Sequence, residues 1–364
     1  VRIIKVSPLK RLIEVVPETT LDLLNIFRTV SLGSTIYSET SREVKKERAD
    51  GRFDSIRMRL RIGVAVEKKT LEPLMRRVSF TGTIVYESRQ LDLLGKHHTI
   101  HLTVGTELSV EDRDNFPRLS SFAQYYRKRP AAKNIICLLI DDEGLSIVDI
   151  GSHEMKVLYE KKLQAVGKRE PEERLKAVEA LHAGASAVLE KETEERKTVD
   201  ILIFGPGIFV DDYMAHLKRN KRQLLKYVKK TGFVSDSSSA GVGELLRNGI
   251  LHEYGEHLKV VADAEAVEKL IERMVRQPSM VAIGLKETLS AAEIGAAEKI
   301  LVDESFLWYN MTEDRVEDML TLAEKMKTSV HVISAGYEAS DKVASLGGVA
   351  ALLRYQLTPR SAAV

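Results

Sequence analysis

"STIYSETSREVKKERADGRFDSIRMRLRIGVAVE", residues 34–67, holds two extended runs on either side of Ala49-Asp50-Gly51. An Asp-Gly turn between β-branched runs is a hairpin signal. After the turn, Ile56, Met58, Leu60 and Ile62 alternate with Arg57, Arg59 and Arg61. A period of two puts the apolar set on one face and the arginines on the other. Between Arg42 and Arg61 the chain carries eight basic and four acidic side chains. Neighbouring cations at that density repel unless an anion offsets them. Lys45, Lys46, Arg48 and Arg52 crowd the turn, where no core can use them, so phosphate contact is their natural use. Arg42 and Arg57 come second as RNA contacts. The competing explanation is a solvated hairpin whose glutamates and lysines pair with each other.

Around this hairpin the first third reads as short strands. "RIIKVS" and "RLIEVV" are β-branched runs about Pro8, "RVSFTGTIVY" and "HTIHLTV" supply more, and one helix opens at Pro17-Glu18. Many short strands with one helix point to a small curled β domain. "RKRPAAKN" (127–134) reads as a linker, because Pro130 disfavours helix at Arg129 and the charges belong in water. Beyond it, "NIICLLIDDEGLSIVDIGSHEMKVLYEKKL" reads as a three-strand meander. A helix over about 172–191, the buried strand "VDILIFGPG", a helix through about Lys230, and a strand, polar loop and helix in "TGFVSDSSSAGVGELLRNGIL" follow. That is an α/β domain. A second boundary falls near 256–262, followed by α-β-α-β-α-β-(α)-β in about 100 residues. The expected domains are 1–130, 131–260 and 261–364.

Charge is uneven along the chain. Residues 1–130 hold 24 Lys/Arg against 16 Asp/Glu, whereas 263–364 hold 11 against 16. A basic end on an otherwise acidic body points to a polyanion at that end. Six Asn, six Gln and one Cys lean toward a thermophile surface rich in both signs. The lone Cys137 allows no intrachain disulfide and fits a reducing compartment. No apolar run nears the ~18 residues that span a bilayer. The opening "VRIIKVSPLK" lacks the apolar segment of a signal peptide. A cytoplasmic protein is expected, with no membrane partner.

Few chemistry motifs are present. There is no Walker loop, dinucleotide fingerprint, H-E-x-x-H or C-x-x-C. Gly205-Pro206-Gly207 sits where a phosphate loop would, but Pro206 removes a donor and no Lys-Ser/Thr follows, so a sharp strand-to-helix turn explains it better. His97 and His101 share a strand face in "GKHHTIHL", which makes a metal conceivable beside the plainer reading of strand histidines. The serines of "SDSSSAG" lack a supporting histidine and read as helix caps. "HLKRNKRQLLKYVKK" (216–230) has seven cations and no acid. As a helix it would carry Lys218, Arg222, Lys226 and Lys229 on one stripe and Leu217, Leu224 and Val228 on another. The basic stripe is either solvated surface or a contact with RNA or an acidic protein.

"RIIKVSP", "HHTIHL", "DILIFGPG", "VSDSSSAGVGELL", "AIGLKETLSAAEIGAAEKILVDESF" and "GVAALLRY" occur in this order over nearly the whole chain. Together they resemble the archaeal Pelota family, paralogues of the class-1 release factors. The resemblance implies a multidomain α+β fold: an N-terminal Sm-like β-barrel, a central α/β domain and a C-terminal layered α/β domain of release-factor type. It implies a tRNA-mimicking ribosome-rescue factor that enters an empty decoding site with an elongation-factor-1-alpha-type GTPase. An ABC-type recycling ATPase then helps to part the subunits. The 41–67 hairpin matches the family's decoding-site loop, so its cations would meet rRNA and mRNA. No cofactor of its own is implied, GTP belongs to the partner, and a monomer is expected. The Gly-Gly-Gln and Asn-Ile-Lys-Ser stretches of release factors are absent, and the one Gly-Gly, 347–348, is followed by Val349.

The family usually has Pro-Gly-Phe where this chain has Pro206, Gly207 and Ile208, with Phe209 one place later. Pro206, Gly207 and Ile208, with Lys218 and Arg222, are the expected contacts to the GTPase or to rRNA. Some family members are assigned a divalent-metal-dependent endoribonuclease activity. Whether this chain is an enzyme stays open on that ground; residues 1–130 offer scattered acids such as Asp22, Glu67, Glu87 and Asp92, plus the His97/His101 pair, and no spacing announces a metal site.

Overall fold

Thr19 ends an extended run and starts a helix. Its Oγ1 accepts the Asp22 N–H while the Asp22 carboxylate accepts the Thr19 N–H, both at 3.1 Å, a reciprocal cap. The helix, α1 (Thr20–Thr29), turns Leu23, Leu24, Ile26 and Phe27 into a core. The structure is a computed structural model. It describes residues 1–47, 53–128, 134–151, 155–163, 171–196, 198–238, 240–254 and 258–356, with the backbone alone at 41–47, 53–58, 134 and 171. The expected linker at 127–134 lies largely outside the described residues. Packing divides the chain into two units, Val1–Pro130 with Ser305–Glu317, and Ala131–Glu304 with Asp318–Val364.

The first unit is built on one seven-stranded sheet. Its strands are β1 (Arg2–Ser7), β2 (Leu12–Val16), β3 (Thr35–Glu47), β4 (Phe53–Glu72), β5 (Arg77–Glu87), β6 (His97–Leu102) and β7 (Leu108–Glu111), in the order β1-β2-β7-β3-β4-β5-β6. Every neighbouring pair is antiparallel. A second helix, α2 (Phe116–Arg127), follows Asn115 and buries Leu119, Ala123 and Tyr126. The one-helix reading of this region missed it, although Leu119, Ala123 and Tyr126 stand at helical spacing.

The second unit holds two sheets. In the first, β8 (Asn134–Ile140), β9 (Gly144–Ile150), β10 (Met155–Lys162), β11 (Val199–Phe204) and β12 (Val228–Gly232) lie in the order β10-β9-β8-β11-β12. β11 runs parallel to both β8 and β12. The apolar run of β8 is buried on both faces. Ile136, Leu138 and Ile140 meet α3 (Pro171–Glu195) and α4 (Gly207–Asn220), while Ile135, Cys137 and Leu139 meet α5 (Gly241–Arg247) and the start of α6 (Lys259–Arg276). Burial pushes the Cys137 thiol pKa up, so it stays protonated.

The last sheet has the order β13-β16-β14-β15, from β13 (Val281–Ile283), β14 (Ala297–Asp303), β15 (Ser329–Ile333) and β16 (Val349–Leu353). Between these strands run α7 (Gly284–Glu293), α8 (Glu304–Asn310), α9 (Asp314–Lys325) and α10 (Glu338–Ser345). Helix α6 serves both sheets. Val260 and Val261 lie in the core of the β8–β12 sheet, whereas Ala266, Val267 and Leu270 lie in that of β13–β16. Between them the fully buried Asp263 accepts from Lys259, the Tyr337 hydroxyl and the Ser334 N–H (3.0 Å), and lies 2.6 Å from His331 Nε2.

Two local expectations are corrected. The basic run 216–230 is not one helix: α4 ends at Asn220, Arg222–Tyr227 is a 3₁₀ turn, and Val228 opens β12. Lys218, Arg222, Lys226 and Lys229 therefore form no helical stripe. Leu217, Leu224 and Val228 do share one core, which is the pattern that imitated a helix. The chain turns out of helix because β11 needs a parallel neighbour, and Val228-Lys229-Lys230-Thr231 suits an edge strand guarded by lysines. Among the described residues the serines before α5 also do not stand at its N-cap. Ala240 stands at the N-cap without a side-chain bond, and Ser238 Oγ accepts the Ala240 N–H at 3.2 Å.

Candidate nucleic-acid interface

β3 and β4 pair continuously from Thr35↔Ala65 to Glu47↔Phe53. β7 reaches β3 only at Thr35–Tyr37, and β5 reaches β4 only over Ile62–Glu72. Ser88 still bonds the Arg61 backbone and Ser38 the Glu107 carbonyl. Beyond these, among the described residues, no third strand pairs with the two. They form a two-stranded ribbon roughly 30 Å long at ~3.3 Å per residue. A two-stranded ribbon that no third strand pairs with, among the described residues, is open to a partner. Its tip, with Arg48 and Arg52, lies outside the described residues.

The register sorts the cations. Where side chains are described, the alternation holds: Leu60 and Ile62 are buried, Arg59 is exposed and Arg61 half-buried. Across the ladder Arg61 stands opposite Glu39, Arg57 opposite Glu43 and Lys46 opposite Asp54. Arg42 stands opposite Met58 and Lys45 opposite Ser55. Opposite charges at paired ladder positions attract; of the positions whose side chains are described, Arg61 is paired with Glu39 and lies 4.0 Å from Glu107. Arg42 and Lys46 occupy alternate positions to Lys45, so the expected contacts are split between the two faces. Arg61 also donates to Ser109 Oγ at 2.5 Å.

A second feature is the turn from β11 into α4. Gly205 allows it, because a Cβ there would lie 1.9 Å from the Ile140 carbonyl oxygen. Gly205→Ala is expected to destabilise the protein by about 3 kcal/mol or more, since backbone would have to move. At Gly207 nothing lies within 4 Å of an added Cβ, so Gly207→Ala should be neutral or slightly stabilising at this helix start. Urea melts of the two variants check both outcomes. Pro206 precedes the helix, and its carbonyl accepts the Phe209 N–H at 3.0 Å.

Two family models match in order: the Pelota N-terminal domain over residues 2–121 and eRF1 domain 3 over 260–357. A pelota homolog of Thermococcus kodakarensis is 27% identical over 365 residues, covering 98% of this chain and 99% of that one. One from Methanopyrus kandleri is 28% identical over 354 residues, covering 96% and 97%. The chain belongs to the Pelota family. The crystal structure of Thermoplasma acidophilum Pelota matches the fold with a TM-score of 0.65 at 18% identity, covering 98% of this chain and all of that one. Archaeoglobus fulgidus Pelota gives 0.53 at 22%, with the same coverage. The fold is the mixed α/β, several-sheet fold of Pelota.

Where Pelota proteins usually carry Phe after Pro-Gly, this member's Ile208 is 68% exposed. Phe209 packs into the core beneath α4 and does not replace it.

The acids and imidazoles of the first unit are dispersed. Asp22 caps α1. Glu87 accepts the N–H groups of Leu91 (3.3 Å) and Leu93 (3.2 Å), and Asp92 sits in a left-handed turn. Glu67 accepts from Thr83 Oγ1 at 2.6 Å and lies 3.6 Å from His97. His101 lies 2.7 Å from Ser79 Oγ and 3.7 Å from Glu72. Hydrogen bonds from Arg77 and Ser79 lower the Glu72 pKa. Four residues along a strand separate His97 from His101 by roughly 13 Å, too far to share an ion. Among the described residues no group of three or more His, Cys, Asp or Glu is placed to hold a metal. Among them, too, no helix is long and apolar enough to cross a membrane.

Proposed function

We propose that the chain is a tRNA-mimicking ribosome-rescue factor. It enters the empty decoding site of a stalled ribosome and promotes subunit dissociation while leaving peptidyl-tRNA intact. The observation that carries this is the β3–β4 ribbon, a basic two-stranded arm without a third strand in a Pelota-family chain. The missing Gly-Gly-Gln supports rescue over peptide release, because the chain offers no such tripeptide to place water at the ester. In this reading residues 1–130 contact RNA, 131–260 face the GTPase and mimic an acceptor stem, and 261–364 dock protein partners through their acidic surface.

An elongation-factor-1-alpha-type GTPase delivers the chain and binds the GTP. Pro206, Gly207, exposed Ile208, Lys218 and Arg222 meet that GTPase or large-subunit rRNA. An ABC-type ATPase completes recycling. The test is subunit splitting of ribosomes with a vacant decoding site, with GTPase, GTP and ATPase added and peptidyl-tRNA followed in the same tubes. Splitting with intact peptidyl-tRNA is expected. Released peptide would overturn the reading in favour of termination. Cleaved RNA without splitting would overturn it in favour of a nuclease.

A further inference from the structure

At the root of the ribbon three residues stand in register across three strands: Tyr37 on β3, Gly63 on β4 and Tyr86 on β5. Glycine weakens a strand interior and marks a place where something comes close. Here the Tyr37 ring and the Tyr86 Cβ do. An added Cβ at Gly63 would lie 2.7 Å from Tyr37 Cε1 and 2.9 Å from Tyr86 Cβ. The two rings meet edge to face, with centroids 5.7 Å apart.

A β-bulge adds a second irregularity. Gly63 pairs with Tyr86 and Val64 with Ile84, leaving Val85 as the extra residue. Bulges re-aim side chains, and Val85 and Tyr86, consecutive residues, are both exposed, at 50% and 44%. Tyr37 is held in place: its hydroxyl donates to Glu111 at 2.8 Å, and burial with that carboxylate pushes its pKa up to about 12. A cleft of about 580 Å³ opens beside it, bounded in part by Leu32, Val85, Glu111 and Arg113.

On β4 the positions on Gly63's face leading toward the tip are Arg61 and then the exposed Arg59. They are spaced by about 7 Å per step. An aromatic platform next to a file of cations is what a single strand of RNA needs: a ring to stack a base, and charges to hold the phosphates that follow. Glu39, Glu107 and Glu111 around the platform oppose a phosphate there and leave room for an uncharged base.

We propose that Tyr86, braced by Tyr37 over Gly63, stacks an unpaired nucleobase of single-stranded RNA whose backbone runs along Arg61 and Arg59 toward the tip. This rests on the reading of the first unit as RNA-contacting and adds a base site to the phosphate contacts of the ribbon.

The experiment uses the full chain and fluorescein-labelled octauridylate, octaadenylate and an abasic RNA of equal length, read by anisotropy over a salt series. Tyr86→Ala and Tyr86→Leu are expected to weaken binding to both base-bearing RNAs by about 5- to 150-fold, the loss of one base–aromatic stack, without changing the salt slope. Tyr86→Phe should bind like the parent, and on abasic RNA all three should match it. Arg59→Ala should instead lower the salt slope by about 0.7 on every RNA.

Binding of Tyr86→Leu within twofold of the parent, or an equal loss on abasic RNA, would overturn the base site. If Lys45, Lys46, Arg48 and Arg52 then still prove necessary for RNA binding, the wider reading stands without it. A parent chain that binds none of the three RNAs would remove both.

Discussion

Replacing Lys45, Lys46, Arg48 and Arg52 together by alanine is expected to weaken ribosome binding on the order of 10²-fold at physiological salt, with GTPase binding unchanged. Each phosphate contact contributes about 0.7 to 0.9 to the slope of log affinity against log salt, so losing four flattens it by about 3. The ribbon's isolation explains why folding should survive, since its outer pairs touch no third strand. Register adds a graded comparison. Arg42→Ala is expected to cost more than Arg57→Ala, because the backbone register pairs position 57 with Glu43 and position 42 with Met58. Sedimentation of the variants with vacant ribosomes, alongside GTPase pull-down, measures both. Equal loss of ribosome and GTPase binding would mean misfolding and would sink the assignment of these residues.

Asp263→Ala is expected to destabilise the second unit by about 3–5 kcal/mol, because it takes the anion from the half-buried Lys259 ammonium and the acceptor from the Tyr337 hydroxyl and the Ser334 N–H. That corresponds to a melting point lower by roughly 6–20 °C. Removing Lys259 as well should recover part of the loss, since the pair then leaves together.

The pH dependence follows from the same group. Burial alone would raise the Asp263 pKa, but hydrogen bonding to His331 and the charge and hydrogen bond of Lys259 outweigh it and hold the carboxyl below its ordinary range. A folded-state pKa below the unfolded one gives stability that is present above the ordinary value, near 3.9, and is lost as pH falls through the folded value. Urea melts from pH 7 to pH 3 should show that loss in the parent and a shallower one in Asp263→Asn. A parent no more acid-sensitive than Asp263→Asn would refute the network's role.

Much of this architecture was legible in residue patterns. The doubly buried run Ile135–Ile140 and the alternation at Leu60 and Ile62 carry their own geometry. The cap at Thr19 does too, since Asp22 stands three residues on. What stayed hidden depends on partners far away in sequence. The spacing of Leu217, Leu224 and Val228 suits a helix, and only the need of β11 for a parallel neighbour takes Val228 out of that pattern and into a strand. The faces of Arg42 and Lys45 were beyond reach because pairing Glu47 with Phe53 fixes them, and a turn signal does not state its loop length. Tyr37, Gly63 and Tyr86 lie 26 and 23 positions apart, so only strand order brings them to one row. α2 was different: its spacing was visible, and Pro117, which can be mistaken for a breaker, stands in the first turn, where proline is welcome.

Helix α6 has a mechanical meaning. It gives its first turn to one sheet's core and its later turns to the other's, with Asp263 buried where the two meet. A continuous helix has no soft joint, so 259–276 works as a beam rather than a hinge. Through it the β8–β12 and β13–β16 sheets share one rigid element. Cutting the chain at the charge boundary after Ala262 would saw through that beam, parting Asp263 from Lys259 and opening the sealed carboxylate to water.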